Sequence, residues 1–167
     1  MTTQLTHPRI ILDTDPGRDD IYAFLWLLSL VKSGLIKVGR GVPIKQVVED
    51  AGHIHGADGM GNLSHTLPPA THNFEDAPYW DEIIIEELNA NPGEITIISD
   101  RSADKPLSKA ATKSPGILKK AQEIVMMGGA FFCSGNVTPH AEFNIGLNAE
   151  AAQTVFDSRG EFFHQFR

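Results

Sequence analysis

Residues 9–20 read RIILDTDPGRDD, with Asp13, Asp15, Asp19 and Asp20 crowded directly behind a short apolar run. Carboxylates held this close repel one another unless a cation or shared protons compensate. A hard ion with oxygen ligands, Ca²⁺ or Mg²⁺, is the natural counter-charge. One aspartate at such a turn can cap a helix and favour its positive end. Four exceed what capping requires, so a site is the better reading. Two further polar stretches, SDRSAD (99–104) and MGGAFFCSGN (127–136), also sit immediately behind apolar runs.

The elements that would carry these stretches alternate along the chain. Ile10, Ile11 and Leu12 predict a strand, and Pro16-Gly17 breaks it before Asp19 or Asp20 opens a helix over the apolar residues 21–31. Ser33-Gly34 is a left-handed cap for that helix. Residues 44–51 read as a weak helix and 54–69 as a loop rich in glycine, histidine and proline. A helix over 81–90 stops at Asn91-Pro92-Gly93. Strands are expected at 94–99 and 123–127, a short helix at 107–112, a loop at 131–144, and a helix over 149–156 capped by Asn148. Strands separated by helices predict an α/β fold, a three-layer sandwich with a mainly parallel sheet, as a single domain over residues 1–167. In such a sheet ligands bind beyond the carboxyl ends of the strands, where the three polar stretches would converge.

Bulk properties narrow the partners. A formal net charge of −7 argues against nucleic acid and acidic membrane surfaces, which call for a basic stripe. Residues 21–31 are too few to span a bilayer, which takes about 20. The lone Cys133 makes no internal disulfide, and the polar start MTTQLTHPR carries no apolar targeting segment, so a reducing cytoplasm is expected.

The motifs carry a resemblance. DTDPGRDD after an apolar strand is similar to the signature of the nucleoside hydrolases, the inosine-uridine-preferring N-ribohydrolases: Asp-Thr-Asp-Pro-Gly, one variable residue, then Asp-Asp. The run IVMMGGAFFCSGNVTPHAEFNI (124–145) resembles the family's Met-Gly-Gly, Gly-Asn and Glu-Phe-Asn-Ile segments in order and spacing, and IHGADGMGN (54–62) resembles its His-Gly-Asp-Gly-Leu-Gly loop.

The resemblance implies Ca²⁺-dependent hydrolysis of the N-glycosidic bond of ribonucleosides such as inosine or uridine. Asp15 falls where the family has the base that deprotonates water and also binds Ca²⁺, and Asp20 where it has a second, bidentate metal carboxylate. Asp100 corresponds by spacing to a backbone carbonyl ligand, and Asp19 to a contact with a ribose hydroxyl. Asn136, Glu142 and Asn144 match the residues holding the sugar hydroxyls, with Met127 packed under the ribose. Breaking a ribosyl C–N bond through an oxocarbenium-like state suits carboxylates on the attacking side, with a metal ion that acidifies water and side chains that fix orientation.

The chain also departs from the family. After the first helix, at about residue 33, the family's second strand and Gly-Asn-Val segment have no counterpart, which reads as an internal deletion. DRSADKPLSKA replaces the Gly-Pro-Leu-Thr-Asn segment, and Asn148-Ala149 replaces Asp-Pro. The family's later His-Asp pair lies beyond DSRGEFFHQFR, and His164, expected to be a solvent-exposed terminal histidine, matches no motif. An incomplete fold and impaired activity follow as expectations. The alternative is a non-catalytic remnant that self-associates through open sheet edges. A distant third reading takes ILDTD as the Asp-x-Asp of a haloacid-dehalogenase-like phosphatase, with Asp13 as nucleophile and Asp15 as acid. His53 and His55 read as loop hydrogen-bonders rather than metal ligands, Cys133 as no nucleophile, and Gly56, Gly59 and Gly61 as turn glycines.

Overall fold

The structure, a computed structural model, describes residues 9–14, 56–58, 60–66, 77–100, 105–159 and 164–166. Contacts divide the chain into two compact units, one of residues 1–13 with 81–167 and one of residues 14–80.

The first unit is built on a parallel four-stranded sheet, with strands β1 (Arg9–Asp13), β2 (Ile95–Ser99), β3 (Glu123–Met127) and β4 (His164–Phe166) side by side in that order. Arg9 pairs with Ile95 and Asp13 with Ser99. Ser99 also aligns with Met126, and Met127 with Phe166. Parallel neighbours need crossover connections. Helix α1 (Trp80–Ala90) precedes β2, α2 (Lys105–Lys113) and a 3-10 turn (Ile117–Lys120) join β2 to β3, and α3 (Phe143–Gly146) with α4 (Ala149–Arg159) joins β3 to β4.

The period-two alternation of the inner strands decides where the core lies. Ile95 and Ile97 of β2 and Ile124 and Met126 of β3 are buried. They pack in one cluster with Ile84 and Leu88 of α1, Leu107, Ala110 and Ala111 of α2, Ile117 and Leu118, and Val155 of α4. Thr96, Ile98 and Val125, on the alternate positions, are half-buried.

Polar side chains fix the helix ends. Asn148 accepts the Ala151 N–H on its Oδ1 at 3.2 Å and the Ala152 N–H on its carbonyl at 3.1 Å, the cap its position predicts. Past α1, Gly93 takes the left-handed conformation (φ +78°) and donates its N–H to the Lys120 carbonyl at 2.7 Å. The guanidinium of Arg159 donates to the carbonyls of Leu118 (3.2 Å) and Gln122 (3.0 Å), tying the last turn of α4 to the segment entering β3. Asp81, fully buried in the first turn of α1, pairs with Lys113 and with Lys109 (3.6 Å), both on α2.

The second unit contains a compact polar turn at 56–66. Asp58 Oδ1 accepts the N–H groups of Met60 (2.9 Å) and Asn62 (2.7 Å), and Oδ2 accepts that of Ser64 (2.9 Å). Asn62, itself left-handed at φ +62°, accepts the Ala57 N–H on its side chain at 3.1 Å. The bonds from Ser64, backbone and hydroxyl, and then from Met60 hold the Asp58 carboxyl well below the usual carboxylate range.

The α/β class and the parallel sheet agree with expectation, as do the three anticipated strands and the helices over 80–90, 105–113 and 149–159. Three elements differ. β4 was not anticipated, and it places His164 at the start of a strand rather than in a free tail. The expected loop over 131–144 ends in the one-turn helix α3, and the loop over 54–69 contains a 3-10 turn at Ser64–Thr66. The helices expected over 21–31 and 44–51 lie outside the described residues, as do Asp15, Asp19, Asp20, His53, His55 and Gly59.

Candidate active site

The parallel register brings the C-terminal ends of β1, β2 and β3 together along one edge. Asp13 closes β1, Asp100 follows β2, and Met127 closes β3. The Asp100 N–H donates to the Asp13 carbonyl at 3.1 Å, so the β1–β2 ladder continues one rung past the strand end. One oxygen of each side chain, Asp13 Oδ2 and Asp100 Oδ1, is shut off from solvent. Sequence reasoning counted Asp13 in the acidic cluster and gave it a role of its own only in the phosphatase reading, as the nucleophile. Its position as the last residue of β1, beside Asp100, was the signal for a place at this edge.

Met127 is 55% exposed at the edge, and the chain then runs through Gly128 and Gly129 into a loop that returns at Glu142. A Cβ at Gly128 would stand 3.0 Å from Glu142 Oε2 and 3.3 Å from both Asn144 Cβ and Ile145 Cγ1, so only glycine lets α3 come this near β3 without displacement. Gly129, at φ +88°, lies where L side chains are strained. Its N–H donates to Glu142 Oε2 at 2.8 Å. The same carboxylate caps α3, accepting from Asn144 N–H on Oε1 at 3.0 Å and from Ile145 N–H on Oε2 at 3.3 Å. A carboxylate offers about four acceptor positions. Three are filled here by backbone donors.

The neighbouring amides are oriented in opposite senses. Asn144 donates Nδ2–H to the Met127 carbonyl at 3.0 Å, which leaves Oδ1 as an acceptor. Asn136 accepts the Phe143 N–H on Oδ1 at 2.8 Å, which leaves its Nδ2 as a donor. Asn136 is set by a tight turn in which Ala141 carbonyl accepts the N–H groups of Asn136 and Val137, each at 3.1 Å, and Thr138 Oγ1 accepts from Ala141 N–H at 2.9 Å. Gly135 packs against the Ala141 backbone where a side chain would collide. A donor and an acceptor of this kind suit hydroxyl groups, each of which is both.

Met127, Asn136, Glu142 and Asn144 thus form one connected group at the end of β3, and Asp100 lies at the end of the adjoining strand. Among the described residues no group of three or more His, Cys, Asp or Glu side chains forms a metal cluster. The strand-end donors present at Asp13 and Asp100 are all oxygen, the chemistry a hard cation takes.

Residues 25–164 match the family described as inosine-uridine preferring nucleoside hydrolase. The chain belongs to that family. It is 31% identical over 194 residues to a probable uridine nucleosidase 2 of Oryza sativa, covering 95% of this chain and 56% of that protein. It is 35% identical over 186 residues to the pyrimidine-specific ribonucleoside hydrolase RihB of Escherichia coli, covering 90% of this chain and 56% of that protein. Among solved structures, a plant nucleoside hydrolase superposes with a TM-score of 0.72 at 30% identity, over 89% of this chain and 56% of that one. The chain therefore spans little more than half the length of these nucleoside hydrolases. Its fold is part of theirs, an incomplete α/β fold, and membership displaces the haloacid-dehalogenase-like alternative. The family match begins behind the acidic stretch 13–20, whereas a match over 95% of the chain leaves too few residues at either end to omit it.

Proposed function

We propose that the chain hydrolyses the N-glycosidic bond of a ribonucleoside, inosine, uridine or a similar compound, to ribose and free base, at a rate below that of full-length relatives. The observation that carries this reading is the hydroxyl-matching group at the end of β3: a donor on Asn136 and an acceptor on Asn144, joined through Glu142 and the Met127 carbonyl. In this reading Asn136, Asn144 and the remaining acceptor position of Glu142 hold the sugar, Met127 lies beneath it, and Asp19 contacts a ribose hydroxyl. Asp15 takes the proton from the attacking water. Asp15, Asp20 and the Asp100 carbonyl would hold Ca²⁺, which would supply charge to orient and acidify that water.

The same reading makes residues 1–167 a single nucleoside-hydrolase-like domain with an internal deletion after about residue 33. An alignment of 194 residues is longer than the 167-residue chain itself, so the rice relative carries internal sequence without a counterpart here. That surplus also favours a second reading, a non-catalytic remnant that self-associates through its sheet edges. The expected setting is cytoplasmic, with neither nucleic acid nor membrane as partner. Among the described residues no helix is long and apolar enough to cross a membrane.

The deciding experiment measures free ribose released from inosine and from uridine by the purified chain with Ca²⁺, with EDTA, and with Asp15→Ala. Ca²⁺-dependent release lost in the variant supports the hydrolase. Release no greater than a protein-free blank rejects it in favour of the remnant.

A further inference from the structure

Glu142 holds together two pieces of backbone, next to the bond that Asn144 makes to the Met127 carbonyl. One is the start of the loop at Gly129, thirteen residues earlier in the chain; the other is the first turn of α3. The two amides of the site both hang on the second piece. Asn144 lies within α3, and its N–H is one of the three bonds to the carboxylate. Asn136 is fixed to the N–H of Phe143, the residue next to Glu142.

Gly128 shows how close the approach is, since even one methyl group there would press on Glu142 Oε2 at 3.0 Å. Oε2 meets donors on both sides, the N–H groups of Gly129 and Ile145, while Oε1 takes that of Asn144. A four-residue helix has little stability of its own, so its place beside β3 depends on this clasp and on the Asn144 bond to Met127.

We infer that Glu142 is the positioning residue of the site: its carboxylate clasps Gly129 to the start of α3 and so holds Asn136 and Asn144, both tied to that helix, against the end of β3. It acts through those amides as well as through the acceptor position it keeps for the sugar. The inference rests on the sugar-binding reading of this edge, and its test separates the two.

Amide hydrogen exchange of the full chain is compared for the native protein, Glu142→Gln and Glu142→Ala, alongside ribose affinity measured by calorimetry. Loss of a hydrogen bond to a charged group corresponds to about a ten- to hundredfold change in local opening. Glu142→Ala is expected to speed exchange at Gly129, Asn144 and Ile145 by that factor, with Ile97 and Ile124 unchanged. Glu142→Gln, which keeps the size and one acceptor, is expected to fall between, with ribose affinity following the same order. Weaker ribose binding with unchanged exchange at Gly129 would make Glu142 a direct ligand and nothing more, and overturn the inference. Faster exchange throughout the sheet would reduce it to a general structural role and overturn it equally. Local acceleration in a chain that binds no ribose would uphold the clasp and remove the hydrolase reading. If Glu142→Ala does not fold, the Glu142→Gln comparison decides alone.

Discussion

The backbone N–H of Asp100 donates to the carbonyl of Asp13 at 3.1 Å, locking the ends of β1 and β2 into one polar edge. The carbonyl of Asp100 is the one ligand of the proposed Ca²⁺ set that lies among the described residues. A cation that binds only the native chain raises its stability by RT ln(1 + [L]/Kd), about 2.7 kcal/mol at 100 Kd. Thermal unfolding in EDTA and then in saturating Ca²⁺ is therefore expected to show an upward shift of Tm, lost in Asp15→Asn. Equal melting temperatures in both buffers would remove Ca²⁺ from the proposal.

The turn at 56–66 gives a prediction about pH. The folded Asp58 carboxyl is depressed below its ordinary value of 3.8, so its stabilising effect is complete above that pH and is lost only as the pH falls through the lower folded value. Exchange protection at Met60, Asn62 and Ser64 should hold from pH 7 down to about pH 4. Asp58→Asn should reduce it at every pH. Protection already failing near pH 5 would contradict this.

The buried carboxylate of Asp81 makes Lys113→Met and Asp81→Asn unequal. Removing Lys113 leaves a fully buried charge with, among the described residues, Lys109 at 3.6 Å, whereas Asp81→Asn removes the charge itself and leaves two half-exposed lysines, Lys113 still 3.9 Å from Glu82. Lys113→Met should lower Tm more. The hydrogen bond to Asp81 raises the Lys113 pKa above its ordinary 10.5, so the lysine's contribution is complete below that pH and fades as the pH climbs through the raised value. Alkaline titration of Tm should show a fall absent from Lys113→Met.

Ile97 lies fully buried at the centre of β2, between β1 and β3. Ile97→Ala should destabilise the chain by about 2–5 kcal/mol in urea unfolding, through lost burial and the cavity left behind. Ile10→Ala, at an exposed position of β1, should cost far less. Equal losses would mean that the core is placed wrongly.

These positions also show what the residues disclosed unaided. The runs that became β1, β2 and β3 announce themselves because apolar and β-branched residues end abruptly at polar or glycine stretches, and Asn148 caps α4 through a bond made within its own turn. β4 was hidden because HQF holds too little pattern of its own; pairing with Val125, Met126 and Met127 makes it a strand. α3 was hidden for a related reason, since Glu142 binds Gly129 from far along the chain. The clasp and the opposed orientation of Asn136 and Asn144 need that long-range closure, so no spacing rule could reveal them. The knot around Asp58 is local, and its Asp-Gly-Met-Gly-Asn sequence carried a readable turn signal.

The pairing of Arg9 with Ile95 sets a timetable for synthesis. The first strand leaves the ribosome long before its partner exists, and at about 5–20 residues per second the wait is on the order of ten seconds. Throughout it RIIL waits for β2, its partner among the described strands, and can join any open sheet edge nearby. Slowing translation across residues 14–94, or withdrawing the chaperones that shield nascent chains, should therefore lower the yield of folded protein more than a comparable delay after residue 127.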